Sequence, residues 1–213
     1  MNIKQIDNMM HLQDQMNKNV DENWRDNKWN WLRAVRVESM EMLDHYGWKW
    51  WKHQEPDIEQ VKLELIDIIH FMLSEALQRG YFDSSSVKHF IEMGINQYNN
   101  IDDNQELFRN YIERLIRYSF DDQFADMWII IGYMILMLKM DFNEVYKMYI
   151  GKNVLNNFRQ EHGYKNGTYV KEWNGREDNE HLTEIMNKLD SDSETFIEDL
   201  WTDLENSYKE ATG

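Results

Sequence analysis

DIEQVKLELIDIIHFMLSEALQRG, residues 57–80, decides the fold class. It opens behind Pro56 with Asp57 as an N-cap and Gln60 three residues on, a paired helix start. It closes on Gly80 behind Arg79, a helix stop. Between these ends Val61, Leu63, Leu65, Ile66, Ile68, Ile69, Phe71, Met72 and Leu73 leave almost no polar side. A helix that is apolar nearly all round is a buried helix, so other elements must surround it. Two carboxylates, Glu64 and Asp67, lie inside this apolar segment. Their spacing of three puts them on one helical face.

The flanking sequence supplies helices to do the covering. Residues 3–18 carry Ile3, Ile6, Met9, Met10, Leu12 and Met16 at helical spacing. A polar, Asn-rich stretch runs to Asn30, and a second helix is predicted over 31–46, stopped by Gly47. The block WKWWK at 48–52 leads into the helix already quoted. Two helices are predicted within 81–120, with starts near Ser86 and Asp102. An apolar helix covers 122–139, and Asp141 with Glu144 starts another that runs to Gln160. Residues 163–178 read as a loop, followed by terminal helices over 179–189 and 194–209. One Pro and nine Gly in 213 residues leave few breakers, and no alternation of period two is long enough to argue for strands. The expectation is an all-α helical bundle with no significant sheet, in one domain. Its core is 1–80 and 121–165, with a helical insert at 81–120 and a closing loop with C-terminal helices at 166–213.

Composition narrows the function classes. A formal charge of −16 opposes binding to nucleic-acid polymers and to anionic membranes. The absence of Cys excludes disulfides, thiolate metal sites and a Cys nucleophile, and fits a reducing compartment. The N-terminus has no signal-type apolar core. The longest apolar run, Met127 to Leu138, is shorter than the roughly 18 residues a membrane span needs. A cytoplasmic protein with no membrane partner is expected.

Two sets of charges carry the chemistry. Glu38-Ser-Met-Glu41 in the second helix repeats the spacing of Glu64-Leu-Ile-Asp67 in the third. Burying an unpaired carboxylate costs several kcal/mol, and no Lys or Arg lies on that face of the third helix to compensate. Four carboxylates on two helices suit a hard divalent cation, Mg²⁺ first and Mn²⁺ second. The plain alternative is a solvated acidic face with incidental spacing. Asp67-Ile-Ile-His70 also resembles half of a di-iron bundle site, but the second helix lacks the matching His. The opposite charge gathers at Lys147, Lys152, Arg159, Lys165 and Lys171, a stretch with a single acid, Glu161. An island of net charge +4 in an acidic chain is a candidate phosphate site. The alternative is a positive face that balances the acidic remainder.

Six segments then look like one known family. They are LQDQMN at 12–17, VESMEMLD at 37–44, WKWWK at 48–52, ELIDIIHFMLS at 64–74, YIGKNVLNNFRQEHGYK at 149–165 and WNGREDN at 173–179. Together they resemble the dimeric deoxyuridine triphosphatases of the all-α nucleoside triphosphate pyrophosphohydrolase superfamily. The resemblance implies that Glu38, Glu41, Glu64 and Asp67 bind metal, with Glu41 or Glu38 also positioning and deprotonating the attacking water. It implies that Gln13 and Asn17 read the base, and that Trp51 and His70 line its pocket. Phe71 would stack near the deoxyribose and exclude a 2′-hydroxyl. Lys152, Asn156, Arg159, Tyr164, Lys165 and Lys171 would contact sugar and phosphates. The implied protein is a homodimeric dUTP diphosphatase that makes dUMP and also accepts dUDP. Two departures, the NVDENW stretch after Asn17 and the short linker behind WKWWK, lie near the base pocket. They leave room for an enzyme that also takes dCTP. A non-catalytic deoxynucleotide-binding protein on the same fold is the reading from another class.

Overall fold

The computed structural model describes residues 2–97, 104–190, 193 and 195–212. The elements are α1 (Ile3–Val20), α2 (Trp31–Tyr46), α3 (Ile58–Arg79), α4 (Ser84–Gln97), α5 (Gln105–Phe120), α6 (Phe124–Met137), α7 (Phe142–Glu161), a 3₁₀ turn (Tyr164–Asn166), β1 (Glu172–Trp173), β2 (Arg176–Glu177), α8 (Asp178–Lys188) and α9 (Phe196–Thr212). The all-α expectation holds. The sheet is a two-residue antiparallel pairing of β1 with β2. Asn174 and Gly175 both have positive φ, 53° and 81°, the requirement of a tight hairpin turn.

Helix ends follow local chemistry. The side chain of Asn30 accepts from the Arg33 amide at 2.9 Å, and that of Asp57 accepts from the Gln60 amide at 3.3 Å. Gly80 takes the left-handed conformation with φ 74° and donates to the Ala76 carbonyl. The helix predicted near Ser86 begins two residues earlier, because Asp83 accepts from both the amide and the hydroxyl of Ser86 at 2.8 Å. The helix predicted near Asp102 starts at Gln105 with Asn104 as its cap, and Asp102 itself lies outside the described residues. The polar stretch before Asn30 turns back on α1. There Trp24 is buried and its indole donates to Asp14 at 3.2 Å.

The chain divides into two compact units, residues 1–146 and 147–213. In the first, α3 packs against both α2 and α1, and its residues from Val61 to Ala76 are nearly all buried. Helices α4 and α5 belong to this unit: α4 packs on α6, and α5 packs on α2 and α6. The apolar α6 is a core helix, with Met127, Trp128, Ile131 and Met134 fully buried. Among the described residues no helix is long and apolar enough to cross a membrane. In the second unit Phe158 of α7 is the hub of an aromatic core. Its ring centroid is 5.3 Å from Trp201, 5.5 Å from Tyr208 and 6.0 Å from Trp173.

Two glycines set how closely α4 and α6 cross. A Cβ on Gly94 would stand 2.2 Å from the Ile129 carbonyl oxygen, and one on Gly132 would stand 2.3 Å from that of Ile91. Both obstacles are backbone, which cannot swing aside. Gly132→Ala is therefore expected to destabilise the protein by about 1–3 kcal/mol, although Ala is the better helix former. Urea unfolding would measure this, and an unchanged midpoint would mean that the crossing opens at no cost.

Candidate active site

The α2–α3 contact brings the first set of acids together. Val35, Ser39 and Met42 of α2 point into the core, and all three are fully buried. Glu38 and Glu41 stand at the edge of that face. Carboxylate oxygens of Glu38, Glu41 and Glu64 lie within 4.8 Å of one another. Glu64 is 5 % exposed, Glu38 half-buried and Glu41 exposed. Asp67, one turn beyond Glu64, is half-buried and outside this group. His45 approaches from α2, with Nε2 3.7 Å from Glu64 Oε1. Three clustered carboxylates repel one another unless a cation sits between them. An all-oxygen donor set with one buried member fits a hard divalent ion.

The α1–α3 contact builds a second polar cluster, this one buried. Gln13, Asn17, His70 and Ser74 are each 5 % exposed or less. Gln13 Nε2 donates to Ser74 Oγ at 2.9 Å and to Asn17 Oδ1 at 3.1 Å. Asn17 Nδ2 donates to the same Ser74 Oγ at 3.0 Å. Gln13 Oε1 lies 2.7 Å from His70 Nδ1, and the Ser74 hydroxyl donates to the His70 carbonyl at 3.1 Å. Phe71, the neighbour of His70, stacks on Trp31 at 6.2 Å, and Trp31 meets Trp24 and Trp29 edge-on. Both clusters thus hang on one helix. Ser74 lies seven residues beyond Asp67, about 10 Å along α3.

A family model described as dUTPase matches residues 5–164 of the 213, a span that includes both clusters. The chain belongs to the dUTPase family. No curated protein matches it. As a family member it is a dUTP diphosphatase, an enzyme that hydrolyses the nucleotide.

Other residues of the expected dUTPase site lie on other elements of the two units. Trp51 is 58 % exposed and touches Trp48 and Trp50 edge-on. This loop lines an open cleft of about 730 Å³ with Arg109, Glu106 and Glu113 of α5. Tyr164 and Lys165 are exposed on the 3₁₀ turn, and Lys171 pairs with Glu177 at 3.0 Å.

The basic residues of α7 have partners inside the second unit. Lys152 is 1 % exposed and donates to Asn179 Oδ1 at 2.9 Å. Arg159 grips Asp178 with two hydrogen bonds of 2.8 and 2.7 Å, and reaches Asn156 Oδ1 at 3.2 Å. Asp178 has no exposed surface and also accepts from the Tyr169 hydroxyl at 2.8 Å. The sequence reading counted the cations on α7 and missed these two acceptors at the start of α8. Ser74 and Trp31 were missed as well. Ser74 stood within a quoted motif, four residues from His70, while nothing local marked Trp31 as the neighbour of Phe71.

Burial alone would push the Asp178 carboxyl up. The hydrogen bonds and charge of Arg159, the Tyr169 hydroxyl and the charge of Lys152 outweigh it and hold the group below the ordinary carboxylate range. Burial and the adjacent Asp178 charge push the Tyr169 phenol well above its usual range. A depressed folded value means that Asp178 contributes stability above its unfolded value of about 3.9, and that this stability is lost as pH falls through the folded value. Asp178→Asn is expected to cost about 3–5 kcal/mol near neutrality, the range for breaking a buried ion pair. Urea titrations from pH 7 to pH 3 should show the gap to the parent protein narrowing in acid. A gap that stays constant would remove Asp178 from the network.

Proposed function

We propose that this dUTPase converts dUTP to dUMP and pyrophosphate, accepts dUDP as well, and uses Mg²⁺, with Mn²⁺ as the second choice. The reading is carried by the Glu38–Glu41–Glu64 cluster within the matched span. Glu38, Glu41, Glu64 and Asp67 are the proposed ligands. A divalent ion held there would offset phosphate charge and make the attacking water more acidic. Phosphoanhydride cleavage then asks little covalent help of the protein, mainly placement and charge. Glu41, the exposed member of the cluster, has the access to hold the water and take its proton, with Glu38 as its neighbour in that task. Gln13, Asn17 and His70 form the proposed base end, with Trp51 as a further aromatic contact. Phe71, backed by Trp31, leaves no space for a 2′-hydroxyl. Lys152, Asn156, Arg159, Tyr164, Lys165 and Lys171 are proposed for sugar and phosphates. The pairing of Arg159 with Asp178 keeps its guanidinium in one place, which favours directional contact over a diffuse field. We further propose a homodimer in the cytoplasm, with no nucleic-acid polymer as partner.

The deciding measurement is product analysis after incubation with each dNTP, UTP and dUDP, with and without Mg²⁺. dUTP and dUDP should yield dUMP in the presence of metal, and UTP should not. Equal rates on dCTP and dUTP would replace the narrow specificity by a relaxed one. Tight dUTP binding with no turnover would leave only a binding protein. Glu41→Gln should lower kcat by about 100-fold or more while the circular dichroism spectrum is kept. Full activity in that variant would remove the acidic cluster from catalysis. Light scattering of the active protein should give the mass of two chains.

A further inference from the structure

A side-chain amide can face its surroundings with either its N–H₂ or its C=O, so Gln13 and Asn17 by type alone do not select a base. The buried cluster removes that freedom. Three contacts link the two amides and Ser74: Gln13 to Asn17 at 3.1 Å, Gln13 to Ser74 at 2.9 Å and Asn17 to Ser74 at 3.0 Å. Turning Gln13 alone would set its oxygen against the Asn17 oxygen. Turning Asn17 alone would set nitrogen against nitrogen. Turning both would point two carbonyl oxygens at Ser74, whose hydroxyl has a single hydrogen to give. One oxygen–oxygen contact would then be left without a hydrogen in a buried site, which is costly. Only one arrangement satisfies all three contacts and lets the Ser74 hydrogen go to the His70 carbonyl at 3.1 Å. It also fixes His70, because Gln13 Oε1 can only accept, so Nδ1 must carry the proton at their 2.7 Å contact.

We propose that Ser74 is a positioning residue that sets base choice, by locking Gln13 and Asn17 with their amide nitrogens on its hydroxyl oxygen. The inference rests on the proposed reading of these two amides as the base contacts. In the locked state Asn17 Oδ1 is directed at Gln13 Nε2, and Asn17 Nδ2 has a second hydrogen beyond the one given to Ser74. Asn17 therefore meets the base as a donor. A ring carbonyl satisfies it, whereas the exocyclic amine of cytosine would set donor against donor. Ser74 has no exposed surface, so its influence passes through the two amides.

The test compares kcat and KM on dUTP and dCTP for the parent enzyme, Ser74→Ala, Ser74→Cys and Ser74→Thr, with urea midpoints measured alongside. Alanine removes the acceptor, cysteine keeps the volume but accepts poorly, and threonine keeps the hydroxyl. The preference for dUTP over dCTP in kcat/KM should fall about tenfold in the Ala and Cys variants, chiefly through KM, and be retained by Thr. A loss of general stability would lower both substrates together and leave the ratio alone. That outcome, or a parent enzyme with no preference, overturns the proposal. Gln13→Ala and Asn17→Ala separate it from the reading beneath it. If they change the ratio and Ser74→Ala does not, Ser74 has no positioning role. If none of the three changes it, the amides do not contact the base, and the proposal falls with that reading.

Discussion

A helix without a solvent face must find a partner inside the protein for every polar side chain that it carries. From Val61 to Ala76, α3 is close to such a helix, and much of the first unit follows from that need. Leu65, Ile66, Ile68, Met72 and Leu73 are completely buried, and Glu64, His70 and Ser74 are buried with them. Each would cost several kcal/mol if left unsatisfied. α1 answers with Gln13 and Asn17 against His70 and Ser74. α2 answers with Glu38 and Glu41 beside Glu64, an arrangement of like charges that a cation would stabilise. The same helix thus carries the carboxylate cluster near one end and the amide cluster about two turns further on.

The second unit meets a similar demand with an ion pair. Asp178 opens α8 and is wholly buried, and Arg159 and the Tyr169 hydroxyl supply its hydrogen bonds. The aromatic core around Phe158 belongs to the same unit. A cation so constrained is a directional group, at the expense of the freedom it would have on an open surface.

Several features were legible in the chain because their causes are local. Asp57, Asn30 and Gly80 end their helices through groups only a few residues away, and the uninterrupted apolar surface of residues 61–73 announces burial whatever covers it. The pairing of Glu38 and Glu41 with Glu64 could be anticipated from repeated spacing on two neighbouring helices. Other features were hidden because their causes are distant. Nothing near Gly94 or Gly132 says that each faces a carbonyl of another helix. Nothing near Arg159 says that its partner lies nineteen residues on. The hairpin is the intermediate case: the Asn174-Gly175 pair is a turn signal, but strands of two residues are too short for alternation to register.

By itself, then, the sequence determined the helical class, the burial of α3 and the set of acids available for a metal, since each depends on residue type and spacing along one chain. Only the tertiary structure decided that Glu38, Glu41 and Glu64 converge, that the α7 cations are held by Asp178 and Asn179, and that one serine hydroxyl oxygen accepts from two amides. Those facts depend on where separate helices cross and on the count of hydrogens available at the crossing, and neither quantity is written along a single helix.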